Sequence, residues 1–591
     1  MEKQISLKPD FKLLNPDFDG YKLSSDVDVT FYSRAVDCAE GLEKRHNSSS
    51  FYLHTRLEAL HNHLFGDPFD TSCVYYFSSK GHLLKNNFSK DTKLSVGEVV
   101  WQADLPELDK ADEDDKTENL HYFASVCFPS PDLAVVGNGQ GKVHILETGD
   151  RSTTRSWLES FECSTQPGIL TQARLVEGEA HDRSIHCLMT SVMALQDLTN
   201  SDLYVLDEKL KTSSASAVHL VNWLTLEYNG ATWDLSRTRT IAGEGTIEYC
   251  SVNETSTGVL LLCHKNFAFI HDSCKPIVKP PPKEESKPSP KFTFLQTSED
   301  ITMWVNIGTA SKSDLKVEVT TNELNISIDD TSVISGTFSN PVKSDLSSWT
   351  INDGTLEITL FKATEGLNWV ALFQSGIPVG EELLDPQLVE EVNKRLSHLT
   401  SDKFDANPDL DNPAYDPGQF EACDEANEDL LLLHLNGSSH KLSSMCHLGA
   451  TQHLFNSQVE GNVVPTFCIR HDVDGVLWQP EGEDKFAHIA TYNAFGYVKA
   501  SKNMAKYTCA APDNSYVAVA DVKSHIYIFF QPEAFGGELR NRKSGKRINT
   551  VARQVVISMK TQDEILGVHT SCNVLFVLTE KNIYGYCLRN S

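Results

Sequence analysis

PDLAVVGNGQGKVHIL at 131–146 and PDNSYVAVADVKSHIYIF at 512–529 lie more than 370 residues apart and follow one plan. Each opens on a Pro-Asp turn, runs through an apolar strand, turns over polar residues, and returns as a strand of alternating apolar and polar side chains. Similar units surround them: SCVYYFSSKGHLLKNNF (72–88), SAVHLVNWLTLEY (216–228), STGVLLLCHKNFAFIHD (256–272), DLLLLHLNGSSHKL (429–442) and TSCNVLFVLTEKNIYGYCL (570–588). Each of these reads as two strands joined by a Gly, Asn, Ser or Lys turn.

Repeated hairpins of this kind resemble the inner hairpin of a WD-type β-propeller blade, with the first strand of the pair near the central channel. The WD dipeptide itself is absent, so the repeat is degenerate. A blade takes roughly 40–45 residues. The segments 1–274 and 421–591 together have room for about seven, with long loops such as the acidic DLPELDKADEDDKTE (104–118).

The middle of the chain obeys a different rule. PIVKPPPKEESKPSPK (276–291) is an extended tether by composition, and 275–290 is assigned as a linker. Strict alternation follows: Ile301, Met303, Val305 and Ile307, then Leu315, Val317 and Val319, then Leu324, Ile326 and Ile328, then Leu356, Ile358 and Leu360. Period two over successive strands predicts an antiparallel sandwich over 291–376 with one buried face per sheet. In 377–420, Asp385 as N-cap, Pro386 at the first turn, and Leu388, Val392, Leu396 and Leu399 along one face predict a short helix. The acidic linker SDKFDANPDLDNPAYDPG closes that segment. The expected fold class is therefore all-β: a propeller interrupted by an inserted sandwich.

Charge and cysteine usage narrow the function. Against 52 basic residues stand 81 acidic ones, a formal net charge of −29, which repels phosphates and argues against direct nucleic-acid binding. No run approaches the roughly 20 apolar residues of a membrane helix, and MEKQISLKPDFKLLNP has no apolar signal core. The 14 cysteines form no CxxC pair and lie in apolar runs, as buried reduced thiols do. A cytoplasmic protein is expected, in which the sequons at Asn47, Asn87 and Asn325 carry no sugar. The basic run RNRKSGKR (540–547) is either a loop between strands or a nuclear-import signal.

No catalytic, cofactor-binding or metal-binding residue is assigned, and the expectation is a protein that is not an enzyme. Gly137-Asn138-Gly139-Gln140-Gly141-Lys142 has the look of a phosphate loop but runs on into an alternating strand, not a helix, so a hairpin turn is expected. His471-Asp472-Val473-Asp474 offers possible metal ligands, but on one strand His471 and Asp474 would face opposite ways, so a turn is the competing reading. Ser-His-Asp order, GxSxG and HExxH are all absent.

At this point two stretches resemble a known family. FTFLQTSEDITMWVNI (292–307) and VISGTFSNPVKSDLSSWTINDGTLEITLFKATEGLNW (333–369) resemble the CS domain of the NudC family, carried by Gly336, Pro341, Val342, Ser348-Trp349-Thr350-Ile351, Gly354 and Trp369. Phe294 stands where a Trp opens the family pattern, and Asn368-Trp369 where many members have Trp-Trp. LLNPDFDGYKLS (13–24), FCIRHDVDGVLWQP (467–480) and HIATYNAFGYVKASK (488–502) extend the likeness into both flanks. The resemblance implies a cochaperone or adaptor that holds client proteins, β-propellers among them, and couples them to the ninety-kilodalton heat-shock chaperone. A stable scaffold subunit dedicated to one protein is the alternative, and a monomer is expected. Candidate interaction residues are Trp349, Trp369, Lys343, His471, Asp472 and Asp474. Each tryptophan is either core packing or an exposed anchor.

Overall fold

Runs such as CVYYF, LAVVG, GVLLLC and VLFVLT are buried on both faces, which a strand achieves only when its sheet is packed between two others. Seven sheets of this kind form from the segments on either side of the insertion. The computed structural model describes residues 3–16, 18–24, 29–36, 51–89, 93–103, 122–178, 182–206, 208–277, 292–307, 312, 315–328, 331–352, 354–367, 369, 372–374, 381–382, 429–502, 504–540, 545 and 547–588. The chain divides into two units, Met1–Lys279 with Glu421–Ser591, and Pro280–Phe420. The boundaries expected at 290/291 and 376/377 fall outside the described residues, as do the helix at 385–399, the acidic loop, the linker at 401–420 and nearly all of the Pro-rich tether.

Taken in chain order, the seven sheets are blade 1 (65–102), blade 2 (125–164), blade 3 (169–243 with Phe267–Asp272), blade 4 (247–263 with 430–449), blade 5 (453–492), blade 6 (505–558) and blade 7 (565–587 with Phe31–Ala35). Separate apolar cores fill every seam. Tyr75 and Phe128 share one between blades 1 and 2, Ile145 and Leu224 between 2 and 3, and Trp223 and Leu261 between 3 and 4. Leu432 and Trp478 follow, then Leu477 and Val517, then Ile528 and Leu575. Tyr76 and Phe576 join blade 7 back to blade 1. The sheets thus close into a seven-bladed ring, and closure removes the exposed edges and faces an open stack would leave.

Blade 4 carries the interruption inside itself. Its first two strands, Ile247–Val252 and Gly258–Cys263, precede the insertion, and Leu430–Asn436 and Leu442–Gly449 follow it. The N-terminal segment then runs along the outer rim. Lys3–Gln4 pairs in parallel with blade 4, the Asp10 amide donates to His488 Nδ1 of blade 5 at 3.0 Å, Tyr21–Leu23 pairs with blade 6, and Phe31–Ala35 supplies the outer strand of blade 7.

Three hairpin readings need correction. LAVVG and KVHILE are the second and third strands of blade 2, and YVAVAD and HIYIFF hold the same places in blade 6; SVCFPS and AKYTCA are the innermost strands. The two repeats are equivalent, one strand further out than expected. SAVHLVNWLTLEY is not a hairpin but one 12-residue strand, because Asn222, the only turn-like residue in it, is buried and accepts a hydrogen bond from Thr240 Oγ1 at 2.9 Å. Phe267–Asp272 leaves its neighbour Gly258–Cys263 and pairs with blade 3.

The second unit is a two-sheet sandwich. One sheet has the order Val342–Asn352, Thr355–Lys362, Asp300–Asn306, Thr293–Gln296, Glu381–Glu382; the other holds Leu315–Val319, Glu323–Ile328 and Thr331–Thr337. Ile301, Met303, Val305, Leu324, Ile326, Leu356, Ile358 and Leu360 fill the space between them, with Val317, Val319 and Ile328 packed at its margin. The period-two reading holds residue by residue.

Candidate protein-interaction surfaces

In the sandwich, Val342–Asn352 is an edge strand. Its pairing slips between Lys343 and Ser348, and the intervening Leu346 is left 55% exposed. An irregular edge of this kind resists strand-to-strand aggregation while leaving side chains available to a partner. Trp349, on this strand, is half-buried against the core, with Lys312 Nζ 5.4 Å from its ring centroid. Lys343 is part-exposed and pairs with Glu365 at 3.1 Å.

Trp369 belongs elsewhere. It is 2% exposed, packs edge-on against Phe338, and so is core rather than an anchor. Gln296 clasps the Trp369 backbone. Its amide Nε2 donates to the Trp369 carbonyl and its Oε1 accepts from the Trp369 amide, both at 2.9 Å. The same Oε1 accepts from Lys362 Nζ at 3.0 Å, and this buried lysine also donates to the carbonyls of Thr297 and Leu367. A buried ammonium is tolerated only with such a full set of acceptors.

In the propeller, Asp472 and Val473 form a tight turn between Thr466–His471 and Asp474–Glu481. His471 and Asp474 are therefore cross-strand partners, not residues on opposite faces of one strand, because the chain reverses between them. Asp472 has a left-handed φ of 53°, which Asp tolerates better than most residues. Asp474 Oδ1 accepts from the Ala494 amide at 2.5 Å, tying the turn to the short helix Phe495–Ala500. Gly496 is required there: a Cβ would lie 2.8 Å from Arg470 Cγ and 3.1 Å from the Val473 carbonyl. Asp474 is half-buried, and burial raises its pKa above the ordinary value. His471, Asp472, Val473 and Tyr497 are exposed together, and no third ligand converges with His471 and Asp474 among the described residues. Tyr497 and Val473 were missed as candidates; an aromatic within HIATYNAFGYVKASK was the available signal.

The glycine-rich run at 137–142 is a hairpin turn, with Asn138 Oδ1 accepting from the amides of Gln140 and Lys142. Gly139 has a φ of 76°, and a Cβ there would strike the Tyr122 carbonyl at 2.1 Å. Of RNRKSGKR, Arg540 and Arg547 pair across a hairpin. The described cysteines are all free, and only Cys274 is exposed. No helix among the described residues is long and apolar enough to cross a membrane.

One helix among the described residues was not found by sequence reading. Between blades 7 and 1 the chain forms the helix Tyr52–Ala59, and Arg56 Nη2 reaches Glu248 Oε1 on the innermost strand of blade 4 at 2.7 Å. His54 meets Tyr122 edge-on, and His264 and His453 also approach Glu248, at 3.5 and 3.4 Å. Burial alone would raise the Glu248 pKa; the hydrogen bonds of the two histidines and the Arg56 charge outweigh it and hold the carboxyl well below its ordinary value.

A closed propeller split inside a blade, with a CS sandwich between the halves, defines a CS-domain protein of propeller type. The CS domain family model matches residues 290–362. NudC domain-containing protein 1 of Mus musculus is 30% identical over 98% of this chain and 98% of its own length, and that of Xenopus tropicalis 29% identical over 98% and 97%. The chain belongs to the NudC domain-containing protein 1 family. Among solved structures, a nuclear movement protein from E. cuniculi aligns at 19% identity, covering 14% of this chain and 99% of its own, with a TM-score of 0.13. Saccharomyces cerevisiae Sqt1 aligns at 7% identity, covering 89% and 95%, with a TM-score of 0.27.

Proposed function

We propose that this protein is a non-catalytic adaptor of chaperone-linked type, in which propeller and CS sandwich each hold a protein and the ninety-kilodalton heat-shock chaperone is one of those bound. The observation that carries the reading is the separation of two folded units inside a chain whose family likeness is end to end. Two weak sites on one chain act at a raised effective concentration toward each other's ligands. The exposed group of Val473, Tyr497, His471 and Asp472 is where the propeller would grip, and the Val342–Asn352 edge with Trp349 is where the sandwich would. A cytoplasmic location suits this role. A stable subunit committed to one partner is the second reading, and the compact blade 5 patch favours it. Purification of the tagged full chain with and without ATP separates the two. Nucleotide-sensitive recovery of the chaperone with many clients supports the adaptor; one stoichiometric, nucleotide-insensitive partner overturns it in favour of the subunit.

A further inference from the structure

His144 sits on the third strand of blade 2 and is 2% exposed, yet neither ring nitrogen makes a well-aligned hydrogen bond. A buried imidazole without an aligned partner costs stability, so its surroundings should say what it is for. Trp101 of blade 1 covers it at a ring separation of 5.0 Å. In front of it stand two carboxylates of the outermost strand, Glu159 and Glu162, whose oxygens lie 3.3 and 3.7 Å from His144 Nδ1. Both glutamates are exposed.

That convergence is built by an irregularity. Residues three apart on a regular strand point to opposite faces, so Glu159 and Glu162 should not meet. Pairing between Lys142–Glu147 and Leu158–Ser164 slips between Ile145 and Leu146, where Ile145 faces Phe161 and Leu146 faces Glu159. Ser160 is the extra residue. The bulge reverses the alternation and turns both carboxylates toward His144, the kind of re-aiming for which bulges recur near sites.

We propose that His144, Glu159 and Glu162 form a binding site for a divalent transition ion of the Zn²⁺ class. Ligand bonds of about 2.0–2.1 Å in a tetrahedron place neighbouring ligand atoms roughly 3.3 Å apart, and the three ligand atoms already lie within 4.8 Å of one another, with His144 Nδ1 and Glu159 at 3.3 Å. One imidazole with two carboxylates suits a borderline ion better than Ca²⁺ or Mg²⁺, which take oxygen alone. Solvent on the carboxylate side leaves room for water as the fourth ligand. Lys142 holds Glu162 Oε1 at 2.9 Å, while Oε2 faces the imidazole. A bound ion would pin the outer strand of blade 2 to its neighbour.

The test is Zn²⁺ and Co²⁺ titration of the full chain, followed by calorimetry, bound-metal stoichiometry, thermal melting and the Co²⁺ visible spectrum. One Zn²⁺ should bind and raise the melting temperature, and Co²⁺ should show a ligand-field band without a thiolate charge-transfer band. Glu159→Gln and Glu162→Gln, both surface changes, should each weaken binding by at least the roughly 10- to 100-fold that loss of an outer-shell partner costs; together they should remove one equivalent. His144→Gln should do the same, and Lys142→Gln should tighten binding. Undiminished stoichiometry and affinity in the double glutamate variant, or a thiolate band, would overturn the proposal, and so would the absence of any binding by the unaltered chain.

Discussion

Asp272 and His440 hold each other at 2.6 Å across 168 residues of chain that include the whole CS unit. Asp272 ends the last strand before the insertion, and His440 lies in the first turn after the chain re-enters blade 4. Arg237 of blade 3 completes the group, donating to Asp272 at 3.0 Å through Nε and to the Gly437 carbonyl at 3.1 Å. Asp272 has no exposed side-chain surface. Burial would raise its pKa, but the bonds from Arg237, the Cys274 amide and His440 hold it well below the ordinary value. Removing one member of a buried charged group leaves the others unpaired, at a cost of about 3–5 kcal/mol. Asp272→Ala should therefore lower the propeller's melting transition in the full chain and leave that of the sandwich in place. A variant melting within a degree or two of the parent would show that the roots of the insertion are fastened elsewhere.

Gly437 should be as intolerant of change as Asp272. Its α-carbon lies over the Trp223–Arg239 stack of blade 3, and a Cβ would fall 2.4 Å from Trp223 Cζ3 and 2.7 Å from Arg239 Nη1. Trp223 is fully buried and cannot retreat. Overpacking of this kind costs about 1–3 kcal/mol. Gly437→Val should reduce stability toward urea by that amount, whereas the same change at Gly230, where a Cβ meets nothing within 4 Å but φ is 91°, should cost only the backbone strain. Equal losses at both positions would mean that the seam has slack.

Mild acid should weaken the propeller through histidines kept neutral. His186 accepts from Trp223 Nε1 at 3.1 Å, and burial, reinforced by Arg239 and Arg174, lowers its pKa from 6.5 to about 4. Between those values the unfolded chain binds a proton that the native chain refuses, so stability falls as pH drops from 6.5 toward 4. At about 1.36 kcal/mol per pH unit, this one group contributes at most about 3 kcal/mol. His186→Gln keeps an acceptor for Trp223 and should flatten the slope of stability against pH in that window by one proton. An unchanged slope would show that His186 is already charged in the native state.

Much of this molecule was legible because burial follows period two. In the sandwich, Ile301 to Leu360 alternate in sequence as they do in space, and Trp369, named with the CS likeness, turns out to have its backbone gripped by the Gln296 side chain. The hairpins of blades 2 and 6 were equally plain, since Pro-Asp turns and β-branched runs are local signals. Non-local partnerships were not. Nothing in STGVLLLCHKNFAFIHD marks Phe267–Asp272 as the property of blade 3, and a buried Asn222 can be told from a turn residue only when Thr240 is beside it. The rim-running N-terminus and the helix that carries Arg56 to Glu248 depend on ring closure, which one strand cannot announce. Trp349 and Trp369 could not be distinguished by type alone; the edge strand leaves one half-exposed and the Gln296 clasp buries the other.

The split inside blade 4 makes the strongest prediction: residues 1–274 should not fold alone. That fragment contains two strands of blade 4 and lacks the other two, Leu430–Asn436 and Leu442–Gly449, against which Leu260 and Leu262 are buried. It also lacks every partner of its own first three strands, which pair with 444–445, 552–554 and 582–586. Phe31–Ala35 would have no blade 7 to complete, and the blade 1 face lined by Val74 and Tyr76 would meet water in place of Phe576 and Leu578. An open ring of this kind presents both unpaired strand edges and apolar faces, the combination that drives aggregation. Expressed alone, 1–274 should be insoluble, and co-expression with 421–591 should recover a soluble complex of the two pieces. Replacing 280–420 by a flexible linker should leave a monomer that unfolds in one cooperative transition, because every seam of the ring lies outside that segment. A soluble 1–274 fragment with a sharp melt of its own would mean that the two flanks are separate domains and that the single ring is wrong.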